Sequence, residues 1–222
     1  MRKIIIASHI TMDGVMQAPG GPEEDRTNGF KWGGWSFYYA DETTNNSIKT
    51  IMSTPFDLLL GRRTYEIFSA YWPYQKGPIG DTFNSIRKYV VGTTPIDLSW
   101  QGSTQISKDV VNELKKLKNQ DGPDLLVWGS SRLIQTLLAN RLVDVLHTLT
   151  FPITLGKGKK LFEEGAQAQQ WKVTESVVST TGVVIASYVP DGEVKSGSFV
   201  KDEPSKAELA RREKWSREES GK

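Results

Sequence analysis

A chain of 222 residues has the length of one domain, or of one domain with an appendage, and is long enough to bury a sizeable core. Its 28 Lys and Arg nearly balance 26 Asp and Glu, a formal charge of +2 that argues against a dedicated nucleic-acid binder with a concentrated basic face. The absence of cysteine excludes disulfides, thiolate metal sites and a cysteine nucleophile, and two histidines, His9 and His147, argue against a histidine-based metal centre.

The opening MRKIIIASHITMDG is interrupted by His9 and Asp13 before a signal segment is complete, and no stretch approaches the about 18 apolar residues of a membrane span. The expectation is a cytoplasmic protein with neither membrane nor nucleic acid as a partner. Ile4, Ile5, Ile6 and Ala7 form a β-branched apolar run, which predicts a strand over residues 3–10 that is covered on both faces. Residues 17–35 are too rich in Gly and Pro for a helix or a central strand. A loop of this length is either functional or a floppy insertion. Phe30, Trp32 and Trp35 favour a lid that docks on something apolar.

A broken apolar stripe of Tyr38, Ile48, Ile51 and Met52 predicts a helix over residues 38–52. The run DLLLG (57–61) is a second buried strand, followed at once by a helix over 62–72 that Pro73 ends. RKYVVGTTP (87–95) reads as strand then turn, and Ser107 suits the N-cap of a helix running through Lys118. DLLVWG (124–129) is the next strand, and the helix after it carries Leu133, Ile134, Leu137 and Leu138 on one face. Such alternation marks βαβ units and a largely parallel sheet, with ligands at the carboxyl ends of the strands. Residues 143–152 form a further strand. Residues 171–180 and 183–189 make a hairpin through Thr181 and Gly182, so the sheet finishes antiparallel. Residues 1–190 constitute the domain. Residues 191–222 form a charged tail, with 8 Lys and Arg against 7 Asp and Glu from Glu193 onward; it reads as loosely attached or as a charged helix over 204–219.

Two turns have the character of phosphate sites. Gly61 to Thr64 and Gly129 to Arg132 each place glycine at a strand end, then hydroxylated or basic residues, then a helix N-terminus whose amides and dipole favour an anion. Neither matches GxGxxG or the P-loop, and small residues at such turns also have an ordinary steric explanation. Two turns in one sheet, each with an arginine, suit the paired phosphates of a dinucleotide.

TMDGVM (11–16), LLLGRRTYE (58–66), RKYVVGTTP (87–95), LLVWGSSRLIQTLL (125–138) and LVDVLHTLTFPITLGKGKKLF (142–162) together resemble the dihydrofolate reductase superfamily. They are closer still to the reductase domain of the bifunctional deaminase/reductases of riboflavin biosynthesis and its stand-alone relatives. The resemblance implies an α/β fold of the dihydrofolate reductase type, with a mostly parallel central sheet, an antiparallel C-terminal edge and flanking helices. It implies NADPH as cofactor and a pterin-like or ribosylaminopyrimidine-like heterocycle as substrate. A homodimer is expected because the riboflavin-type reductases commonly form one. The chain lacks the cysteines of a zinc deaminase, so it cannot be the bifunctional enzyme by itself.

Carried over residue by residue, Gly61, Arg62 and Thr64 would hold cofactor phosphates, and Thr93 and Thr94 would approach the adenosine 2′-phosphate. Gly129, Ser130, Ser131 and Arg132 would face the pyrophosphate, with Ser130 standing where the reductases commonly have a second glycine and able to donate through its amide and hydroxyl. Ala7 would offer its backbone to the nicotinamide amide. On the substrate side the resemblance singles out Asp13, in the x-Asp-Gly motif after the first strand, and Asp41, the nearest match to the acid that meets a pterin. Ordinary alternatives stand beside both: an Asp-Gly turn for Asp13 and a solvated helix carboxylate for Asp41. His9 and His147 read as packed, hydrogen-bonded histidines. Trp32, Trp35, Tyr71, Trp72 and Trp128 either line a pocket for a flat ring or belong to the core. The rival reading is a non-catalytic NADP(H)-binding regulatory or structural protein.

Overall fold

The computed structural model describes residues 1–164, 166–200 and 202–221. An eight-stranded sheet forms its centre: β1 (Ile4–Thr11), β2 (Phe56–Gly61), β3 (Lys88–Val91), β4 (Ser103–Ile106), β5 (Asp124–Trp128), β6 (Val145–Phe151), β7 (Trp171–Val178) and β8 (Val184–Pro190). Across the sheet the order is β4-β3-β2-β5-β1-β6-β8-β7. The first six strands in that order are mutually parallel, β8 runs antiparallel to β6, and β7 antiparallel to β8. This is the α/β architecture with an antiparallel edge that the alternating pattern implied.

The apolar run of β1 explains its central place. Ile4 and Ile6 are fully buried on one face, against Leu114 and Leu117 of α4 (Val110–Lys118) and the leucines of α5 (Ser131–Ala139). Ile5 and Ala7 point to the other face, into a cluster with Tyr65 and Phe68 of α2 (Arg62–Tyr71) and Phe83 of α3 (Pro78–Ser85). Each buried Leu or Ile of α5 contributes about 1.5–3 kcal/mol. Leu133, Ile134, Leu137 and Leu138 thus fix the helix, and with it the glycine turn at its start.

Several elements depart from the sequence reading. Helix α1 is Glu42–Ile51; residues 37–39 form a separate 3₁₀ turn, and Asp41 is the N-cap, closed by a capping box with Thr44. The cap of α4 is Asp109, in the left-handed region at φ 45°, and not Ser107. Helix α3 and strand β4 went unforeseen. In the hairpin, the Gly182 amide donates to the Ser179 carbonyl, so Thr180 and Thr181 are the central turn residues and Gly182 follows at φ 84°. That is a type I turn closed by a left-handed glycine rather than a two-residue connection. Residues 206–220 form a helix, α6 (Lys206–Ser220), with Ser205 as its N-cap and no buried residue. No helix among the described residues is long and apolar enough to cross a membrane.

The loop at residues 17–35 is cross-braced. Gln17 is buried; its Nε2 donates to the carbonyls of Asp25 and Thr27 (both 3.1 Å), and its Oε1 accepts from the Lys159 amide. Lys159 pairs with Asp25, and the Trp35 indole donates to the Gln17 carbonyl at 2.8 Å. Phe30 and Trp35 are buried with Phe151 and Ile185, whereas Trp32 is exposed.

Candidate functional site

A cleft of about 1400 Å³ lies at the carboxyl ends of β1, β2, β3 and β5. Parallel strands release their chain there into helix N-termini, whose first amides have no partner within the helix. The predicted phosphate turns line it: Gly61, Arg62 and Thr64 at the start of α2, and Gly129, Ser130, Ser131 and Arg132 at the start of α5. Thr93, Thr94 and Ala7 line it as well.

The two turns are bound to each other through Ser130. Its Oγ accepts a hydrogen bond from the Gly61 amide at 2.7 Å and donates one to Thr64 Oγ1 at 2.6 Å. The serine hydroxyl, read from sequence as a donor to a ligand, is therefore committed inside the protein. Gly61 must be glycine for the same reason, since a Cβ there would lie 2.9 Å from the Ser130 side chain. Gly129 at φ 90° and Ser130 at φ 75° are successive left-handed residues; glycine adopts this freely, whereas in Ser130 it is the strained kind of backbone that occurs at ligand-binding turns.

Arg62 is partly exposed and forms an ion pair with Glu66 one turn along at 2.7 Å, which leaves other guanidinium N–H groups for an anion. Its neighbour Arg63, passed over in the sequence reading, lines the cleft too. The doubled arginine of GRRT was the available signal. The turn carrying Thr93 and Thr94 is held by Gln105 of β4, whose Nε2 donates to the carbonyls of Gly92 and Thr94, each at 2.6 Å. The unforeseen edge strand is what shapes this part of the cleft.

The two acids proposed for the substrate side are absent from the cleft lining. Asp13 accepts from the Thr11 hydroxyl at 2.5 Å and from the amides of Leu155 and Gly156 at 3.2 and 2.7 Å, tying the end of β1 to the turn after β6. Its slight burial raises the carboxyl pKa, but these hydrogen bonds outweigh that and hold it below the usual range. Asp41 caps α1 and accepts from the Thr180 hydroxyl at 2.7 Å and the Thr181 amide at 3.3 Å, joining the helix to the β7–β8 hairpin. The Thr180 hydroxyl, then the Thr44 amide, hold its carboxyl well below the usual range. Both carboxylates act as structural anchors in this arrangement.

What lines that side instead is His9 of β1, Trp128 at the end of β5, Tyr71 and Trp72 from α2 and its 3₁₀ extension, and residues 16–25 after β1. Within the latter, burial raises the carboxyl of Glu24, which accepts from the amides of Gly20 and Gly21 at 2.6 and 3.1 Å. Of the five aromatics singled out, Trp35 is core and Trp32 is exposed away from the cleft. Among the described residues no cluster of three or more His, Asp or Glu is placed to hold a metal ion.

Known structures share this fold. A protein from Shewanella sp. PV-4 provisionally named for riboflavin biosynthesis superposes with a TM-score of 0.59 at 18% identity, covering 85% of this chain and 99% of its own. A pyrimidine reductase-like protein from Corynebacterium diphtheriae gives 0.56 at 11% identity, covering 86% and 93%. Dihydrofolate reductase from Enterococcus faecalis, complexed with NADP(H) and an inhibitor named RAB-propyl, gives 0.53 at 16% identity over 85% and 96%. In sequence, the uncharacterized protein YyaP of Bacillus subtilis (strain 168) is 26% identical over 192 residues, 84% of this chain and 94% of its own length. The family model described as the RibD C-terminal domain matches residues 2–185, nearly the whole span from β1 through β8, and the chain belongs to that family.

Proposed function

We propose that this protein is an NADPH-dependent reductase that delivers hydride to a flat, pterin-like or ribosylaminopyrimidine-like heterocycle. The observation that carries the reading is the joining of two helix N-termini by Ser130 in a cleft that Arg62, Arg63, Arg132, Thr93 and Thr94 also line. Paired phosphates need such a donor set: amides at helix ends, planar guanidinium forks and short hydroxyls. A volume of about 1400 Å³ exceeds the roughly 300–1000 Å³ of a site for one small molecule and leaves room for a second ring beside a dinucleotide. Membership of the RibD C-terminal domain family supports the reading, as does a structural neighbour solved with NADP(H).

The residues present fit the cofactor. Amides at the starts of α2 and α5 would hold its pyrophosphate, and Thr93 and Thr94 with the neighbouring Arg62 guanidinium would meet a 2′-phosphate. When bound, the nicotinamide supplies the hydride. The protein's own work is to position the acceptor ring: Trp128, Trp72 and Tyr71 offer it aromatic faces, and the braced 17–35 loop walls the cleft against water.

The test is titration of the purified protein with NADPH and NADH by tryptophan fluorescence. It is followed by cofactor oxidation in the presence of dihydrofolate or a ribosylaminopyrimidine phosphate. Tighter binding of NADPH than NADH, with oxidation by either acceptor, is the expected result. Binding without oxidation would favour the rival, a non-catalytic NADP(H)-binding protein, a reading to which the removal of Asp13 and Asp41 from the cleft lends weight. Failure to bind either nucleotide would sink both.

A further inference from the structure

His9 is part-buried, and its Nε2 stands apart from every other buried polar side-chain atom among the described residues. On β1 it shares the parity of Ile5 and Ala7, which places it on the face covered by α2, near the carboxyl end of the central strand. Its ring lies against Trp128, with centroids 6.2 Å apart at 68°, and against Phe151, at 5.2 Å. His9 and Trp128 line the cleft together with Phe68, Tyr71 and Trp72, which makes this part of the cleft an aromatic recess. Among the described residues, His9 Nε2 is the one buried side-chain nitrogen or oxygen without a hydrogen-bond partner. The contrast with His147 is direct: its Nδ1 is bonded to Ser187 Oγ at 2.8 Å.

A packing role does not explain this. A phenylalanine would fill the same space between Trp128 and Phe151 without stranding a polar atom, and native proteins leave few such atoms unpaired. Burial lowers the His9 pKa to about 4, so the ring is neutral at physiological pH, with one nitrogen a donor and the other an acceptor. Rotation about χ2, which is broad and two-fold for histidine, exchanges the edge presented to the cleft.

We propose that His9 is a substrate-contacting residue, its neutral imidazole hydrogen-bonding the uncharged ring N–H or carbonyl edge of a heterocycle stacked in the recess beside Trp128. The inference rests on the heterocycle reading above and sharpens it. The recess holds a neutral donor-acceptor where Asp13 and Asp41 were expected to offer an ionised carboxylate, so it selects an uncharged amide-like edge over a protonated amino-heterocycle.

With two histidines in the chain, ring-¹⁵N labelling gives one signal set for His9 and one for His147. Dihydrofolate and a ribosylaminopyrimidine phosphate serve as probes, each titrated with and without NADPH. Binding of at least one should shift the His9 ring signals and leave those of His147 in place. His9→Phe should weaken that probe by about tenfold or more. The same variant should leave NADPH affinity unchanged and raise the melting temperature, because it removes the unpaired nitrogen. His9→Gln, which keeps a donor and an acceptor, should recover part of the probe affinity. Unmoved His9 signals on probe binding, unchanged affinity in His9→Phe, or failure of both probes to bind would overturn the proposal. Loss of NADPH binding alone, with probes still shifting His9, would count against the reductase reading and not against this contact.

Discussion

At the scale of single residues, side chains that line the cleft differ from those that hold the protein in shape. Arg62 is of the first kind, and in the proposed function it meets the cofactor's 2′-phosphate. Hydrogen bonds to a charged group are worth about 1.5–3 kcal/mol, so Arg62→Ala should weaken NADPH by about tenfold or more and NADH much less. Equal losses for both nucleotides in a fluorescence titration would remove its assignment near the 2′-phosphate. The histidines supply a second residue-level expectation. Burial lowers both pKa values, that of His9 to about 4, so between that value and the ordinary 6.5 the unfolded chain binds more protons than the folded one. Stability is then fully present above about pH 6.5 and falls as the pH drops toward 4. Glu24, whose pKa burial raises, works in the opposite direction over the acid part of this window. Melting temperatures of the parent and His9→Phe across the window isolate the contribution. The variant should show the shallower decline, and identical slopes would contradict the depressed value.

At the scale of elements, the starts of α2 and α5 act as one unit because a single hydroxyl spans them. Ser130→Ala deletes its bonds to the Gly61 amide and Thr64 and leaves a part-buried donor unpaired, at a cost of about 1 kcal/mol. Thermal unfolding should report that loss, and NADPH affinity should fall with it because both phosphate turns lose their mutual register. Ser130→Gly relieves the left-handed strain at φ 75° yet loses the same bonds, so its cofactor affinity should fall as well. Retained affinity in both variants would mean that the turns are positioned independently. These element contacts were only partly legible in the sequence. Glycine, hydroxyl and arginine at each strand end marked the turns, since their chemistry is local. That Ser130 reaches back 69 residues to Gly61 was not, because the two become neighbours only when β5 pairs with β2. Helix α3 and strand β4 were missed for a related reason: PIGDTFNS has a proline and a glycine within its first three residues, and STQI is short and polar. Their structure depends on Phe83 packing against Phe68 and on the ladder with β3.

At the scale of the whole molecule, the sheet and its covering helices end with β8, whose last residues are fastened where the Gln170 and Asp191 backbones meet at 2.8 Å. Helix α6 buries nothing and is braced by its own ion pairs, such as Glu208 with Arg211 and Arg212. Deletion of residues 195–222 should therefore change unfolding free energy by no more than about 0.5 kcal/mol. Calorimetry on the shortened chain would show this, and a larger drop would mean that the tail packs on the domain.

The sequence by itself determined the α/β class, the order of the main strands and helices, the antiparallel finish and the position of the two glycine turns that line the cleft. These follow from hydrophobic period, turn chemistry and helix-end residues, all of which act over a few neighbouring positions. Tertiary structure decided which polar groups face the cleft. Asp13 and Asp41 looked available because their partners, the 155–156 amides and Thr180, lie well over a hundred residues away. His9 looked like a packed histidine because nothing nearby in the chain reveals that its nitrogen finds no partner. Whether a side chain is committed or free depends on the atoms that pairing and packing bring within hydrogen-bond reach, and those are set by the assembled sheet rather than by local sequence.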